Sequence, residues 1–180
     1  VDSYMANSTW GSANGTVDTP LQTVNYASCH DNYTLFDNLT IDVMDATGCT
    51  AEEAAELAAD MNSLAAAYYI TAQGVPFIHA GEEMLRSKPD SAQEIGFNHN
   101  SYSAGDEVNA IKWYTLAEEE IAANVDYYAG LIAFRKAHAA LRMTDAREIA
   151  ENVLPMATGD NQVLAFHILG GNGETAEGLF

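Results

Sequence analysis

Residues 24–37 read Val24-Asn25-Tyr26-Ala27-Ser28-Cys29-His30-Asp31-Asn32-Tyr33-Thr34-Leu35-Phe36-Asp37. Thr23 to Ala27 is a short strand-like run that breaks at the polar cluster Ser28-Cys29-His30-Asp31-Asn32. A strand emptying into a polar loop is how α/β folds carry chemistry at the C-terminal ends of their strands. The His30–Asp31 pair does not specify that chemistry by itself, since such pairs also serve as loop and capping residues. A metal-dependent phosphohydrolase of the HD type needs further His and Asp ligands at helical positions. His79, His99 and His138 are present, but none stands in a His-x-x-x-His pair. A Ser/His/Asp hydrolase needs a Gly-x-Ser-x-Gly elbow, which the sequence lacks.

On the N-terminal side, residues 7–20 (NSTWGSANGTVDTP) are polar and rich in Gly, Asn and Thr, which predicts a loop leading into the strand. On the C-terminal side, Thr50 and Glu53 form a capping-box pattern, and Leu57, Met61, Leu64 and Tyr68 recur at helical spacing. A long helix is expected over about 51–73, with Gly74 as its exit. Val75 to Ala80 predicts a second strand, with Pro76 near its start, where a missing amide is tolerated. The polar loop from Gly81 to about Tyr114 contains the cluster Asn100-Ser101-Tyr102-Ser103-Ala104-Gly105-Asp106. A second long helix is expected from Thr115, with Glu118 as capping partner and Ile121, Val125, Tyr128 and Ile132 on its apolar face. Gln162 to Ile168 predicts a strand, and Gly170-Gly171-Asn172-Gly173 a turn.

Strand, helix, strand, helix and then β is the rhythm of parallel βα units, with a boundary near residue 144. Runs 23–28 and 75–80 are expected to pair in parallel across a right-handed crossover. His30, Asp31 and the 100–106 loop then share one strand-end face.

The chain has 180 residues, 48% of them hydrophobic, enough for one ordinary globular domain. Its 7 basic and 26 acidic residues leave a formal charge of −19, a field that repels nucleic acid and anionic membranes. Neither is an expected partner, and the charge suits a neutral ligand. Cys29 and Cys49 show no metal or redox spacing, and nothing in the pattern supports a disulfide between them. No apolar run reaches the length of a membrane span, and the start carries no signal pattern. Asn-x-Ser/Thr triplets begin at Asn7, Asn14, Asn32 and Asn38, a pattern that Asn- and Thr-rich sequence produces by chance.

The stretch from Val24 to Asp37 resembles the end of the seventh barrel strand in the α-amylase superfamily (glycoside hydrolase family 13). Asn32 after His30-Asp31, then Thr34-Leu35 and Phe36-Asp37, is similar to the type I pullulanase branch. Gly74-Val75-Pro76-Phe77, Gly81-Glu82-Glu83-Met84-Leu85-Arg86-Ser87-Lys88 and Asn100-Ser101-Tyr102…Gly105-Asp106…Asn109 match that branch in the same order. Phe134-Arg135-Lys136-Ala137-His138…Leu141-Arg142-Met143 resembles the end of its last barrel helix. Phe36 stands where the branch usually has Trp, Ala139 where it has Pro, and the loop from Pro89 to His99 is longer than usual.

The resemblance implies an α/β fold. Residues 1–143 would be the C-terminal βαβα portion of a (β/α)8 TIM barrel, its strands 7 and 8 with their helices, and 144–180 the start of an all-β sandwich domain. It implies retaining glycoside hydrolysis, in which one carboxylate attacks, a second acts as acid and then base, and a third steadies an oxocarbenium-like transition state. Asp31 takes the third role, and His30, Asn32, Asn100, Tyr102 and Asp106 become candidate substrate contacts. The nucleophilic Asp and the acid/base Glu would precede residue 1, so the 180-residue chain alone is expected to be inactive. Glu82 and Glu83 are expected to anchor the loop after the last strand, Arg86 and Asp106 to form a loop-fixing ion pair, and His79 to be a satisfied strand histidine. Trp113 and the helix tyrosines are expected in the core.

The implied substrates are α-glucans: pullulan, amylopectin and limit dextrins, cleaved at α-1,6 branch linkages. The alternatives are a non-catalytic glucan-binding or structural fragment, or an isoamylase-like or α-1,4-acting relative. No cofactor is required, and calcium, common in the family, is not predicted because no ligand-loop spacing occurs. Open strand edges and uncovered helix faces imply self-association of the chain alone. The compartment stays open, with an extracellular or cell-surface place favoured over the cytoplasm.

Overall fold

The two strand-like runs pair in parallel. In a computed structural model that describes residues 4–6 and 19–170, Val24–Asn25 (β1) lies beside Val75–Pro76 (β2), with Val24 opposite Val75 and Asn25 opposite Pro76. Val75 N donates to Thr23 O (2.8 Å) and Phe77 N to Asn25 O (2.9 Å). Both strands are shorter than the runs 23–28 and 75–80. Pro76 has no amide to present on the other edge of β2, and past Phe77 the runs meet through side chains, Ser28 Oγ and His79 Nδ1 at 3.3 Å. The loop expected over 7–18, with Asn7 and Asn14, and the turn residues 171–173 lie outside the described residues.

The chain divides into two compact units, one of residues 1–25, 68–77 and 131–180, the other of 26–67 and 78–130. In the first, Tyr4, Met5, Ala72, Leu141, Met143, Ile149, Val153, Phe166 and Ile168 form one core. Side chains from both sides of position 144 share it. Tyr4 stacks on Phe166 with ring centroids 4.2 Å apart. Asp145 caps the helix Ala146–Asn152, accepting from the amides of Arg147 (2.7 Å) and Glu148 (3.2 Å). The chain then forms an antiparallel pair, Val153–Pro155 with Phe166–Ile168, whose alternation buries Phe166 and Ile168 and exposes His167. The strand expected from Gln162 begins only at Phe166. A turn in which Gln162 N donates to Asp160 Oδ1 (2.8 Å) occupies the preceding residues and leaves Val163 and Leu164 exposed.

Two buried polar side chains organise this unit. Gln73 donates from Nε2 to Ala140 O (2.7 Å) and accepts from Met143 N (3.0 Å). Arg135 donates to the carbonyls of Ile70 (3.0 Å), Ala72 (2.6 Å) and Gly74 (2.6 Å), satisfying backbone oxygens where a helix ends. Burial pulls its guanidinium down to about 10, with Arg142 adding to the shift, so it stays charged at neutral pH. Gly74 has φ +94°, and a β-carbon there would sit 2.9 Å from Thr23 O. Only glycine fits this exit from helix to strand.

In the second unit the hydroxyl of Thr34 accepts from Asp37 N (3.1 Å) and starts α1 (Leu35–Thr47), which ends at Gly48 in the left-handed conformation. The sequence reading passed over this helix. Helix α2 (Ala51–Thr71) begins as expected: Glu53 Oε2 accepts from Thr50 N (2.9 Å) and Thr50 Oγ1 accepts from Glu53 N (3.3 Å). Its buried stripe, however, is Ala54, Ala58, Asn62 and Ala66. Leu57 and Tyr68 are exposed, and Leu64 is 72% exposed. The period was legible and the phase was not, because the buried side is set by polar partners across the fold that spacing does not state. Asn62 donates to Tyr128 Oη (2.9 Å) and Ser63 to Asn124 Oδ1 (2.9 Å) on the facing helix.

That facing helix, Glu119–Ala137, starts later than Thr115. Glu118 N donates to Thr115 O (2.9 Å) as a 3-10 turn (Trp113–Ala117) closes, so the amide that a cap would hold is already taken, and Thr115 Oγ1 donates to Lys112 O (2.9 Å). Of the expected apolar face, Tyr128 is buried and Ile132 exposed, while the polar Asn124 and Arg135 are buried. Trp113, expected in the core, is exposed, as is Tyr127. Cys29 and Cys49 are free thiols. Among the described residues no helix is long and apolar enough to cross a membrane.

Candidate active site

The loop 28–34 is held from beneath. Asn32 has φ +62°, a left-handed conformation that Asn tolerates better than most side chains. Its carbonyl and that of His30 each accept from Lys88 Nζ at 3.0 Å. Lys88 is 2% exposed, and its own amide donates to Asp37 Oδ2 (2.8 Å) in the first turn of α1. Burial raises the Asp37 carboxyl above the usual carboxylate range, opposed by the Ser87 side chain, the Lys88 amide, the Thr34 hydroxyl and the Lys88 charge. Burial and Arg86 lower the Lys88 ammonium, while Asp37, Asp31 and Cys29 favour its charge. On this base His30 and Asp31 stand out into solvent, their side chains 86% and 76% exposed, with His30 Nε2 3.4 Å from Asp31 Oδ1.

The opposite wall comes from the segment 79–109. Asn109 donates from Nδ2 to Ser101 O (2.7 Å) and Ala104 O (3.0 Å), which fixes the loop that carries Asn100 and Tyr102. Arg86 donates to Ala80 O (3.1 Å) and Asn109 O (2.6 Å), joining the two parts of the segment. The expected Arg86–Asp106 ion pair does not form: Arg86 Nη1 and Nη2 go to these carbonyls, while Nε is buried without a partner. The loop from Pro89 to His99 folds back on itself: Asp90 N donates to Gly96 O (2.8 Å), Asn98 N to Lys88 O (2.9 Å), and Pro89 bridges Phe97. Tyr33 and His99 meet with ring centroids 5.7 Å apart.

These walls enclose a cleft of about 330 Å³ lined by His30, Asp31, His79, Arg86, Lys88, His99, Asn100, Ser101, Tyr102 and Asn109. Of the residues singled out in the sequence, His30, Asp31, Asn100 and Tyr102 come together here. Asn32 faces a neighbouring hollow with Tyr26, Tyr33 and Asn38. Asp106 is an exposed residue in the first turn of the short helix Asp106–Asn109 and does not line the cleft. Sequence reasoning missed Lys88 and Asn109 as organisers, although both lie within the quoted motifs. Among the described residues, no three His, Cys, Asp or Glu side chains gather as metal ligands.

Behind the cleft runs a buried polar chain. Arg86 can only donate, so its contact with His79 Nε2 (3.4 Å) makes that nitrogen the acceptor and Nδ1 the protonated one. Nδ1–H donates to Ser28 Oγ (3.3 Å), Ser28 donates to Glu82 Oε2 (2.8 Å), and Tyr128 Oη donates to Glu82 Oε1 (3.0 Å). Glu83 Oε2 accepts from Gly81 N (3.2 Å). Both glutamates thus anchor the loop and His79 is satisfied, as the sequence suggested. Burial, then the charges of Arg86, Lys88 and His30, hold the His79 imidazole below its ordinary 6.5. A depressed histidine contributes stability that is present above the ordinary histidine range and lost as pH falls through it, because the unfolded chain then takes up the proton the fold resists. Imidazole NMR of the protein should find His79 still neutral as pH falls below the ordinary histidine value of 6.5; a His79 that protonates at or above that value contradicts this network.

The cleft offers one carboxylate, Asp31, beside imidazole, amide and phenol groups, a set that hydrogen-bonds a neutral polyol from several sides. No family model matches the chain. A pullulanase of Bacillus subtilis is 33% identical over 147 residues, covering 82% of this chain and 18% of its own length. The solved pullulanase of Bacillus acidopullulyticus has TM-score 0.74 at 32% identity, over 93% of this chain and 18% of that one. Pullulanase from Paenibacillus barengoltzii, solved with maltohexaose and α-cyclodextrin, has TM-score 0.73 at 35% identity, over 91% of this chain and 23% of that one. The chain therefore spans about a fifth of the length of these relatives. With its ordered motifs and these likenesses running over most of its residues, the chain belongs to the pullulanase family.

Proposed function

We propose that this chain is the segment of a retaining α-1,6-glucan hydrolase that supplies the transition-state-stabilising carboxylate. The observation that carries the reading is the convergence of His30, Asp31, Asn100 and Tyr102 on one cleft. Asp31 accepts hydrogen bonds from the 2- and 3-hydroxyls of the distorted sugar as positive charge develops at its anomeric carbon. His30 donates to the same sugar, Tyr102, 88% exposed, offers an aromatic face, and Asn100 holds a neighbouring hydroxyl. Asn32 and Asp106 act from outside the cleft, on adjoining glucose units. The substrates are pullulan, amylopectin and limit dextrins; the Paenibacillus relative solved with maltohexaose supports an α-glucan.

β1 and β2 are the seventh and eighth strands of a (β/α)8 barrel, and residues 144–180 open a β-sandwich domain. The parallel order of β1 and β2 supports the first part, and the antiparallel pair after the helix Ala146–Asn152 the second. Exposed Val24, Tyr26, Val75 and Phe77, with Leu57 and Leu64 of α2, are the surfaces a complete barrel covers. The isolated 180-residue chain is therefore expected to self-associate in light scattering and to turn over no pullulan, whereas the complete protein releases maltotriose from it. Turnover by the isolated chain, or no pullulan cleavage by the complete protein, contradicts the reading.

A further inference from the structure

We infer that Lys88 is a positioning residue for Asp31: its ammonium clamps the two carbonyls on either side of Asp31 and so fixes the direction in which that carboxylate faces the cleft. The inference rests on the role proposed for Asp31.

A lysine this deeply buried would ordinarily be paired with a carboxylate. Lys88 instead spends two Nζ donors on backbone, His30 O and Asn32 O, each at 3.0 Å. Those carbonyls belong to the residues just before and just after Asp31. Holding both fixes the 30–31 and 32–33 peptide planes, which bracket Asp31 and Asn32, and keeps Asn32 in its left-handed conformation at φ +62°. Without the clamp, an exposed loop with a left-handed non-glycine residue has little reason to keep one conformation.

The lysine backbone is itself anchored. Its amide donates to Asp37 Oδ2 (2.8 Å), and Asp37 is fully buried at the start of α1, where the loop ends. The loop is thus tied at its far end by Asp37 and in its middle by Nζ. Asp31, with its side chain 76% exposed, has few contacts of its own to set its direction. A carboxylate meant to meet charge that appears only in the transition state must be aimed beforehand, since reorganisation during the reaction raises the barrier. The groups facing the ammonium are Arg86, Asp37, Asp31 and Cys29, and the two carboxylates favour its charged, three-donor form.

The test is a double-mutant cycle in the complete protein, read on pullulan with kcat and KM measured separately. Lys88→Met removes the ammonium at nearly constant length. It is expected to lower kcat by about 30-fold or more with KM changed less than about threefold, because the clamp serves the transition state more than ground-state binding. Asp31→Asn/Lys88→Met is expected to be no slower than Asp31→Asn alone, since Lys88 acts through Asp31. Lys88→Arg, which keeps charge and donors, should recover most of the lost kcat. A folded Lys88→Met protein within about twofold of wild-type kcat overturns the inference, as do multiplicative losses in the double variant. If Lys88→Met does not fold, Lys88→Gln is read in the same way; failure of both to fold shows that Lys88 supports the fold rather than Asp31, and also overturns it. Near-normal activity of Asp31→Asn would instead remove the proposed function itself, which separates the two failures.

Discussion

Asp31→Asn in the complete protein is expected to lower kcat on pullulan by about 10³-fold, or roughly 4 kcal/mol of barrier, with an unchanged melting temperature. The side chain is exposed and is not part of either unit's core, so the substitution removes no packing. His30 Nε2, itself exposed, lies 3.4 Å from its Oδ1. The amide is almost the same shape and still accepts a hydrogen bond from a sugar hydroxyl, so KM should move little. What it lacks is negative charge, and the positive charge it would meet exists only as the glycosidic bond breaks. Steady-state kinetics with the pure variant decide the matter. A variant keeping more than about a tenth of wild-type kcat, a barrier change below about 1.4 kcal/mol, takes the role away from Asp31.

The second large effect concerns the fold. Arg135→Met in the complete protein is expected to destabilise the unit containing it by about 3–5 kcal/mol. Methionine fills much of the aliphatic path but donates nothing to Ile70 O, Ala72 O and Gly74 O, which the guanidinium reaches at 2.6–3.0 Å. Those carbonyls lie where α2 gives way to β2, beside Gly74, whose positive φ allows no other residue to relax the turn. Buried carbonyls stripped of a charged donor carry their desolvation cost unrelieved. The expected readout is a lower thermal midpoint together with new protease sensitivity near residues 70–77. A midpoint unchanged within about 1 °C would mean that water replaces the guanidinium, and that the three contacts contribute little.

Nearest-neighbour chemistry was legible in the sequence. The Thr50–Glu53 capping box forms as read, Gly74 takes the left-handed turn, and runs 23–28 and 75–80 supply the parallel pair. Helix α1 was also open to the same reading, since Thr34, Asp37 and Gly48 are its start and stop signals. The motif residues His30, Asp31, Asn100 and Tyr102 were chosen correctly as neighbours, although a gap of some seventy residues separates the two pairs. The ordered motifs from Val24 to Met143 were enough to point to the family.

Other features depended on which side chain meets which across the fold. Leu57, Leu64 and Tyr68 have the period of a buried face, yet alanines and Asn62 are the buried stripe of α2, because Tyr128 and Asn124 lie opposite. Thr115 and Glu118 have the spacing of a cap, but the Glu118 amide goes to the Thr115 carbonyl in a 3-10 turn. Arg86 and Asp106 have the charges of an ion pair, but Arg86 Nη1 and Nη2 turn to the carbonyls of Ala80 and Asn109. Lys88 stands 58 residues from His30 and 56 from Asn32, and no local pattern states that its ammonium will lie beneath them. Spacing and composition dictate the elements because backbone geometry repeats along the chain. The partners of a buried polar group are dictated only by the tertiary structure, because its desolvation must be compensated by whatever donors and acceptors that structure brings within hydrogen-bonding reach.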